Sequence, residues 1–289
     1  MRKILFATDR CKLFKNIATD VWNRIQLAHD VNVDLPEIGI TADILVDILQ
    51  FSKYHISNFD VYAEKGWKEN IYGSDINVFV ETNIGQYRWF ALQAKILKKN
   101  NRYDTLRDSS DLIMQWDKLT LLEGVSGCKG YYLLYNGKYD FSYSGADLCE
   151  NIFNEEQFGC SLVEPSIIEE LAGIKDSNGR YINPKFEDIH PHSAQPWRVL
   201  TCCYHDTNNF ILYSKNEIIA SNPNLKKVDF YKKNEDSNLD LNENEKTNDK
   251  SFKIVEGNKI NMACKEANWN PSLSIIVSRT DGLIQSNYE

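Results

Sequence analysis

The sequence contains no CxxC pair. Its seven cysteines, Cys11, Cys128, Cys149, Cys160, Cys202, Cys203 and Cys264, are odd in number and irregularly spaced. That argues against a disulfide framework or a zinc ribbon and for reduced, mostly buried thiols. Histidine is scarce, at five residues. His190-Pro-His192 and Cys202-Cys203-Tyr-His205 are the groupings a zinc ion would use, and they lack the paired spacing such sites show. No apolar run reaches the roughly 18 residues a membrane-spanning helix needs. The first residues, MRKILFATDRCKLF, are interrupted by Asp9 and Arg10 and followed by no small-residue cleavage site, so they do not read as a signal peptide. A cytoplasmic protein with no membrane partner is expected. GVSGCKG (124–130) has Gly after its Lys where a phosphate-binding P-loop has Ser or Thr. GxSxG is also missing, and with it the pattern for acyl transfer by a serine nucleophile.

What is present is an ordinary globular composition, with 289 residues, 42% hydrophobic and 26% charged. A chain of this size buries about 75% of the surface it exposes unfolded. It forms one large domain, or one domain with an extension. The net charge of −8 excludes a generally polybasic nucleic-acid coat but leaves room for a local basic groove.

Periodicity orders the first half. Phe14, Ile17, Ala18, Val21, Trp22, Ile25 and Ala28 mark the buried face of a helix over Lys12–His29. A second helix starts near Thr41 as N-cap, with Ile44, Leu45, Ile48 and Leu49 as its stripe. The period then falls to two around Phe59–Ala63, Ile76–Val80 and Trp89–Ala94, giving three strands joined in sequence by short loops. A helix over 110–123 and a strand Tyr131–Tyr135, ended by Asn136-Gly137, complete an order α, α, β, β, β, α, β. Beyond it, Pro165–Ala172 reads as a short helix, and Trp197–His205, Phe210–Tyr213 and Leu273–Val277 read as strands. Residues 234–250 hold six acidic and two basic residues and only two leucines, the composition of a disordered insertion. The expected organisation is an α/β core over 1–160 and a C-terminal extension over 161–289 that either stands apart or packs with the core.

The informative stretch is GSDINVFVETNIGQYRWFALQAKIL (73–97). Gln93 and Lys95 alternate to the same face of one strand, and a hairpin brings Asp75 beside them. A carboxylate, an amide oxygen and an amine converge there, the set that metal-assisted phosphodiester hydrolysis uses. Mg²⁺ or Mn²⁺ takes oxygen ligands, and a lysine orients or helps deprotonate water and offsets charge in the transition state.

Asp, then 17 residues, then Gln-x-Lys on a strand, after a helix and before a helix, resembles the PD-(D/E)XK nuclease superfamily in its Mrr-like Gln-x-Lys branch. The wording of PEIGIT (36–41), YGSDI (72–76), LQAKIL (92–97), RYDTL (102–106), YYLLYN (131–136) and PWRVLTC (196–202) is also similar to uncharacterised bacterial proteins of that superfamily. The resemblance implies a restriction-endonuclease-like αβββαβ core, a mixed sheet flanked by helices. It implies a metal-dependent endonuclease, acting on DNA, in a prokaryotic restriction or anti-phage role. Asp75 and Gln93 are then metal ligands and Lys95 the catalytic lysine. Glu37 is the best match to the extra acid from the first core helix, with Glu64 and Glu69 as alternatives. The other reading is a catalytically inactive nuclease fold that serves as a nucleic-acid-binding or scaffold subunit.

Lys95, Lys98, Lys99, Arg102 and Arg107 set five positive charges against Asp104 within thirteen residues, which reads either as an electrostatic track for a phosphate backbone or as a solvated loop. Tyr103 either stacks on a base or packs under that loop. Gln115, on the next helix, faces the site or solvent. A nuclease toxic to its own cell needs restraint, by a homo-oligomer or a regulatory partner, and the C-terminal part is where that control is expected.

Overall fold

The structure, a computed structural model, describes residues 9–54, 62–65, 75–83, 85–103, 114–146, 153–179, 181–202, 211–221, 226–227, 259–267, 269, 271 and 273–278. The acidic segment 234–250, Glu69 and Arg107 lie outside the described residues. The helices are α1 (Asp9–Asp30), α2 (Glu37–Tyr54), α3 (Gln115–Ser126), α4 (Pro165–Ala172), α5 (Phe186–Ile189), α6 (Val199–Cys202), α7 (Lys215–Ser221) and α8 (Lys259–Glu266). The strands are β1 (Tyr62–Lys65), β2 (Asp75–Asn83), β3 (Gln86–Ile96), β4 (Lys129–Tyr135), β5 (Ser144–Gly145), β6 (Phe153–Asn154), β7 (Cys160–Val163), β8 (Gln195–Pro196), β9 (Leu212–Ser214), β10 (Lys226–Lys227) and β11 (Leu273–Val277).

Among the described residues, nine strands form one mixed sheet in the order β10-β1-β11-β2-β3-β4-β7-β8, with β9 added against β3. The β11–β2 and β3–β4 pairs are parallel, and β2–β3 is antiparallel. Both faces are covered, which is why β3, β4 and β11 are buried almost end to end. On one face α1 sets Phe14, Ile17, Val21 and Ile25 and α2 sets Ile40, Ile44 and Ile48 against Val78, Phe90, Leu92 and Leu133. On the other, Trp116, Leu119 and Leu122 of α3 and Ile260 and Ala263 of α8 pack on Phe79, Trp89, Tyr132 and Leu134. Each fully buried Ile or Leu contributes about 1.5–3 kcal/mol. The α/β class expected from the periodicity is the one observed.

Two close approaches seat α1. A Cβ on Gly159 would lie 1.9 Å from the Ala18 carbonyl oxygen, and one on Gly137 would lie 2.3 Å from that of Trp22. Only glycine fits where these backbones meet the helix.

Several expectations are corrected. Helix α2 begins at Glu37, so Thr41 is no N-cap; its hydroxyl instead bonds back to the Glu37 carbonyl at 3.1 Å. Residues 197–202 are not a strand. Leu200 N–H and Thr201 N–H bond to the Trp197 and Arg198 carbonyls, each at 3.0 Å, making a helical turn. A short buried apolar run has no period that separates the two states. Strands β1 and β2 do not pair with each other, because β11 runs between them. The 160/161 boundary lies inside β7, and the C-terminal part, read as either standing apart or packing with the core, supplies β8, β9, β10 and β11 to the same sheet. Cys128, Cys160 and Cys264 are free thiols, but Cys11 is disulfide-bonded, its partner not among the side chains described. Spacing along the chain carries no information about such a contact.

Candidate active site

The β2–β3 register pairs Asp75 with Gln93 directly, and residues opposite one another on antiparallel strands share a face. Lys95, two residues further along β3, shares it too. The parallel β3–β4 pairing sets Lys95 level with Leu134 and Ile96 level with Tyr135, so these positions lie at the carboxyl end of both strands. Open α/β sheets commonly bind ligands at such strand ends.

The first turn of α2 reaches this end of the sheet. Glu37 Oε1 stands 3.9 Å from Lys95 Nζ, with the two side chains 18% and 4% exposed. An ammonium so deeply buried is costly without an opposite charge, and Glu37 provides it. At 3.9 Å the contact is an ion pair and not a hydrogen bond. Four positions, 37, 75, 93 and 95, are thus gathered from one helix and two strands. The side chain of Asp75 is not described; its backbone pairing fixes the position alone.

Gln93 is 3% exposed, and its Nε2 is buried with no hydrogen-bond partner. A buried amide end left unsatisfied costs about 1–3 kcal/mol. Amide oxygen and nitrogen exchange by a simple flip, so this end can present a carbonyl oxygen. Two carboxylate positions and an amide form an oxygen-only set, which fits a hard divalent cation. Asn77, on the same face of β2 one pleat from Asp75, accepts both the Trp89 and Trp269 indole N–H groups on Oδ1, at 3.0 and 2.9 Å. Gln115, at the start of α3, is half-buried, with its Oε1 turned inward and without a hydrogen-bond partner.

Of the three acids considered for the site, the structure brings Glu37 to Lys95. Glu64 pairs with Ser274 on β11, which puts β11 and β2 between it and β3. Among the described residues no group of three His, Cys, Asp or Glu side chains is placed to hold a metal. The zinc reading loses His190, whose ring nitrogens are engaged by the Phe186 carbonyl and Ser161 Oγ.

The basic stretch divides. Lys99 is exposed and donates to Asn32 Oδ1 at 2.7 Å. Lys98 is half-buried, and Arg102 donates to the Asn183 carbonyl. Of its two readings Tyr103 takes the packed one, which removes it from the residues expected to contact nucleic acid. It is 0% exposed, with its hydroxyl donating to Asn136 Oδ1 at 2.6 Å. It packs beneath the loop and offers no ring to a base.

Composition and spacing gave no sign of a second polar element, which starts from α2. Thr41 Oγ1 lies 2.9 Å from the Tyr135 hydroxyl, in a buried contact. Burial holds the Tyr135 phenol well above its usual range; nearby Cys160 and Glu37 push the same way, and the Thr41 hydrogen bond pulls against them. Both residues fall inside matched segments, but nothing in their spacing links residue 41 to residue 135. A groove of about 390 Å³ lined by Leu13, Asp20, Asp47 and Phe51 lies elsewhere, between α1 and α2. No helix among the described residues is long and apolar enough to cross a membrane.

No curated protein and no solved structure matches the chain. A protein family does match it, over residues 10–280. By that match the chain belongs to the family described as a family of unknown function (DUF6615).

Proposed function

We propose that this protein is a metal-dependent nuclease that hydrolyses phosphodiester bonds, with DNA as its first expected substrate. The observation that carries the reading is the meeting of Glu37 with Lys95 at 3.9 Å, at the strand end where Asp75 is registered against Gln93. Helix α2 and the β2–β3 hairpin carry an acid, an amide and an amine toward one end of the sheet, the set that the PD-(D/E)XK resemblance implies. Asp75, Gln93 and Glu37 would hold the cation. When bound, it would supply a water of lowered pKa and polarise the phosphate. Lys95 places an ammonium, held against Glu37, where negative charge grows on the phosphoryl oxygens during in-line attack. Its burial strengthens that interaction relative to water.

The test is cleavage of plasmid DNA, single-stranded DNA and RNA with Mg²⁺ or Mn²⁺, comparing wild type with Lys95→Ala and Glu37→Gln. Cleavage by wild type, reduced at least 100-fold in Lys95→Ala, is expected. Undiminished cleavage in Lys95→Ala would place the chemistry elsewhere. A folded wild-type chain that cleaves nothing and binds no Mn²⁺ would leave an inactive nuclease fold.

A further inference from the structure

We infer that Tyr135 and Thr41 are positioning residues that set Glu37 of the proposed metal site through a directed hydrogen-bond relay from sheet to helix. This rests on the nuclease reading above and adds two residues to it. Thr41 Oγ1 lies 3.1 Å from the Glu37 carbonyl and 2.9 Å from the Tyr135 hydroxyl. A carbonyl can only accept, so the single Thr41 proton goes to Glu37. The Tyr135 contact then has one polarity left: Tyr135 O–H donates to Thr41 Oγ1, and Thr41 O–H donates to the Glu37 carbonyl. Each bond polarises the next in the buried interior.

The relay is anchored at a rigid point. Tyr135 is 0% exposed, ends β4, and pairs with Ile96, the residue after Lys95. The phenol on β4 and the lysine on β3 are therefore fixed on one sheet, one position apart. Thr41 is 5% exposed and one turn along α2 from Glu37. The helix start that carries the acid is thus tied to the sheet that carries the lysine, and the 3.9 Å Glu37–Lys95 contact is set from both sides. The raised phenol pKa keeps the donor proton in place. Helix propensity does not explain Thr41, nor does strand propensity require a hydroxyl at Tyr135. A threonine inside a helix is neutral to unfavourable, and a buried tyrosine hydroxyl needs a partner that phenylalanine does not.

Outer-shell partners of this kind cost about 10–100-fold in metal affinity when removed. The experiment measures Mn²⁺ binding by electron paramagnetic resonance on the full chain, without nucleic acid. The proteins are wild type, Tyr135→Phe, Thr41→Val, Thr41→Ser, the Tyr135→Phe/Thr41→Val double variant and Glu37→Gln. Tyr135→Phe and Thr41→Val should each weaken Mn²⁺ about 10-fold or more. The double variant should be no worse than the weaker single, because all three break one relay. Thr41→Ser, which keeps the hydroxyl, should bind within about twofold of wild type. Circular dichroism confirms that each variant is folded. If Tyr135→Phe is not, the Val and Ser variants at position 41 carry the comparison. If Tyr135→Phe and Thr41→Val bind Mn²⁺ as wild type does while Glu37→Gln does not, the relay is refuted and the metal site stands. If wild type binds no Mn²⁺, the metal-site reading is overturned, and the relay's proposed purpose with it.

Discussion

Replacing His190 with glutamine should change how stability responds to acid, and the size of the change follows from the histidine's surroundings. The imidazole is buried between the Phe186 ring, stacked at 4.1 Å, and the edge of Phe158 at 5.2 Å. The Phe186 carbonyl accepts at 3.2 Å, so Nδ1 carries the proton. Nε2 therefore accepts from Ser161 Oγ at 2.7 Å. Ser161 Oγ in turn receives Asn136 Nδ2 at 3.0 Å, and Asn136 Oδ1 receives the Tyr103 hydroxyl. The nearby acid, Glu187, is tied to Lys138 at 2.5 Å. Burial pulls the His190 pKa from 6.5 down to about 3, against smaller opposing effects of the Phe186 carbonyl and Glu187.

The unfolded chain thus binds a proton near pH 6.5 that the folded chain refuses until about pH 3. Stability from this group is whole above pH 6.5, is lost as pH falls, and levels off below about 3. At about 1.4 kcal/mol per pH unit, the loss reaches about 2 kcal/mol by pH 5. His190→Gln has no such proton. At pH 7 it should be less stable than wild type by about 1–3 kcal/mol, for a broken buried hydrogen bond. From pH 7 to 5 that gap should close by about 2 kcal/mol. Urea unfolding of both proteins at the two pH values, followed by tryptophan fluorescence, measures it. A gap that stays constant would falsify the assignment of a neutral buried imidazole.

Glycine substitutions should split in sign. Gly159→Ala should cost about 3 kcal/mol in urea unfolding, because backbone atoms of α1 cannot yield to the new carbon. Gly124→Ala, in α3 with nothing within 4 Å of the added atom, should stabilise by up to about 1 kcal/mol; equal effects at the two sites would refute the close approach. Asn77→Ala leaves two buried indole N–H groups unpaired and should cost about 2–6 kcal/mol. A loss under about 1 kcal/mol in the same assay would mean that Asn77 does not clamp Trp89 and Trp269. Cys128 and Cys264, both pushed up to about 12 by burial, should resist thiol reagents at pH 8 in the native chain and react on unfolding. Peptide-level mass spectrometry reads this, and rapid native labelling at either site would contradict the burial.

Periodicity made the local elements legible, and it failed where pairing or polarity decides. Pro165–Ala172 and Leu273–Val277 lie where the sequence puts them, the first opened by a proline that suits a helix start. That Leu273–Val277 inserts between β1 and β2 has no local signal, since all five residues are buried wherever such a strand sits inside a sheet. Trp197–Leu200 shows the same ambiguity at shorter range. In the site, alternation along β3 was enough to align Gln93 with Lys95, and the resemblance nominated Glu37. Tyr103 is open between two readings in the sequence because it adjoins a basic stretch, and the interior amide of Asn136 that its phenol meets leaves no local mark. The polar contacts among Asn136, Ser161 and His190, and that of Thr41 with Tyr135, were hidden for one reason. Hydrogen bonds between residues far apart in the chain leave no period behind.

The placement of β11 also bears on when the protein comes into being. Leu273 pairs with Ile76, roughly 200 residues earlier, a long-range closure of the kind that slows folding. A growing chain can form the β2–β3 hairpin soon after it emerges, but β2 has its other neighbour only once residues near 277 have left the ribosome. Asp75 opens β2 beside that vacant edge. The flank of the proposed site is therefore completed only after the segment 273–277 has been made. A chain that stops short of residue 273 keeps the β2–β3 hairpin, with Asp75 registered against Gln93, but leaves the other edge of β2 without its parallel neighbour.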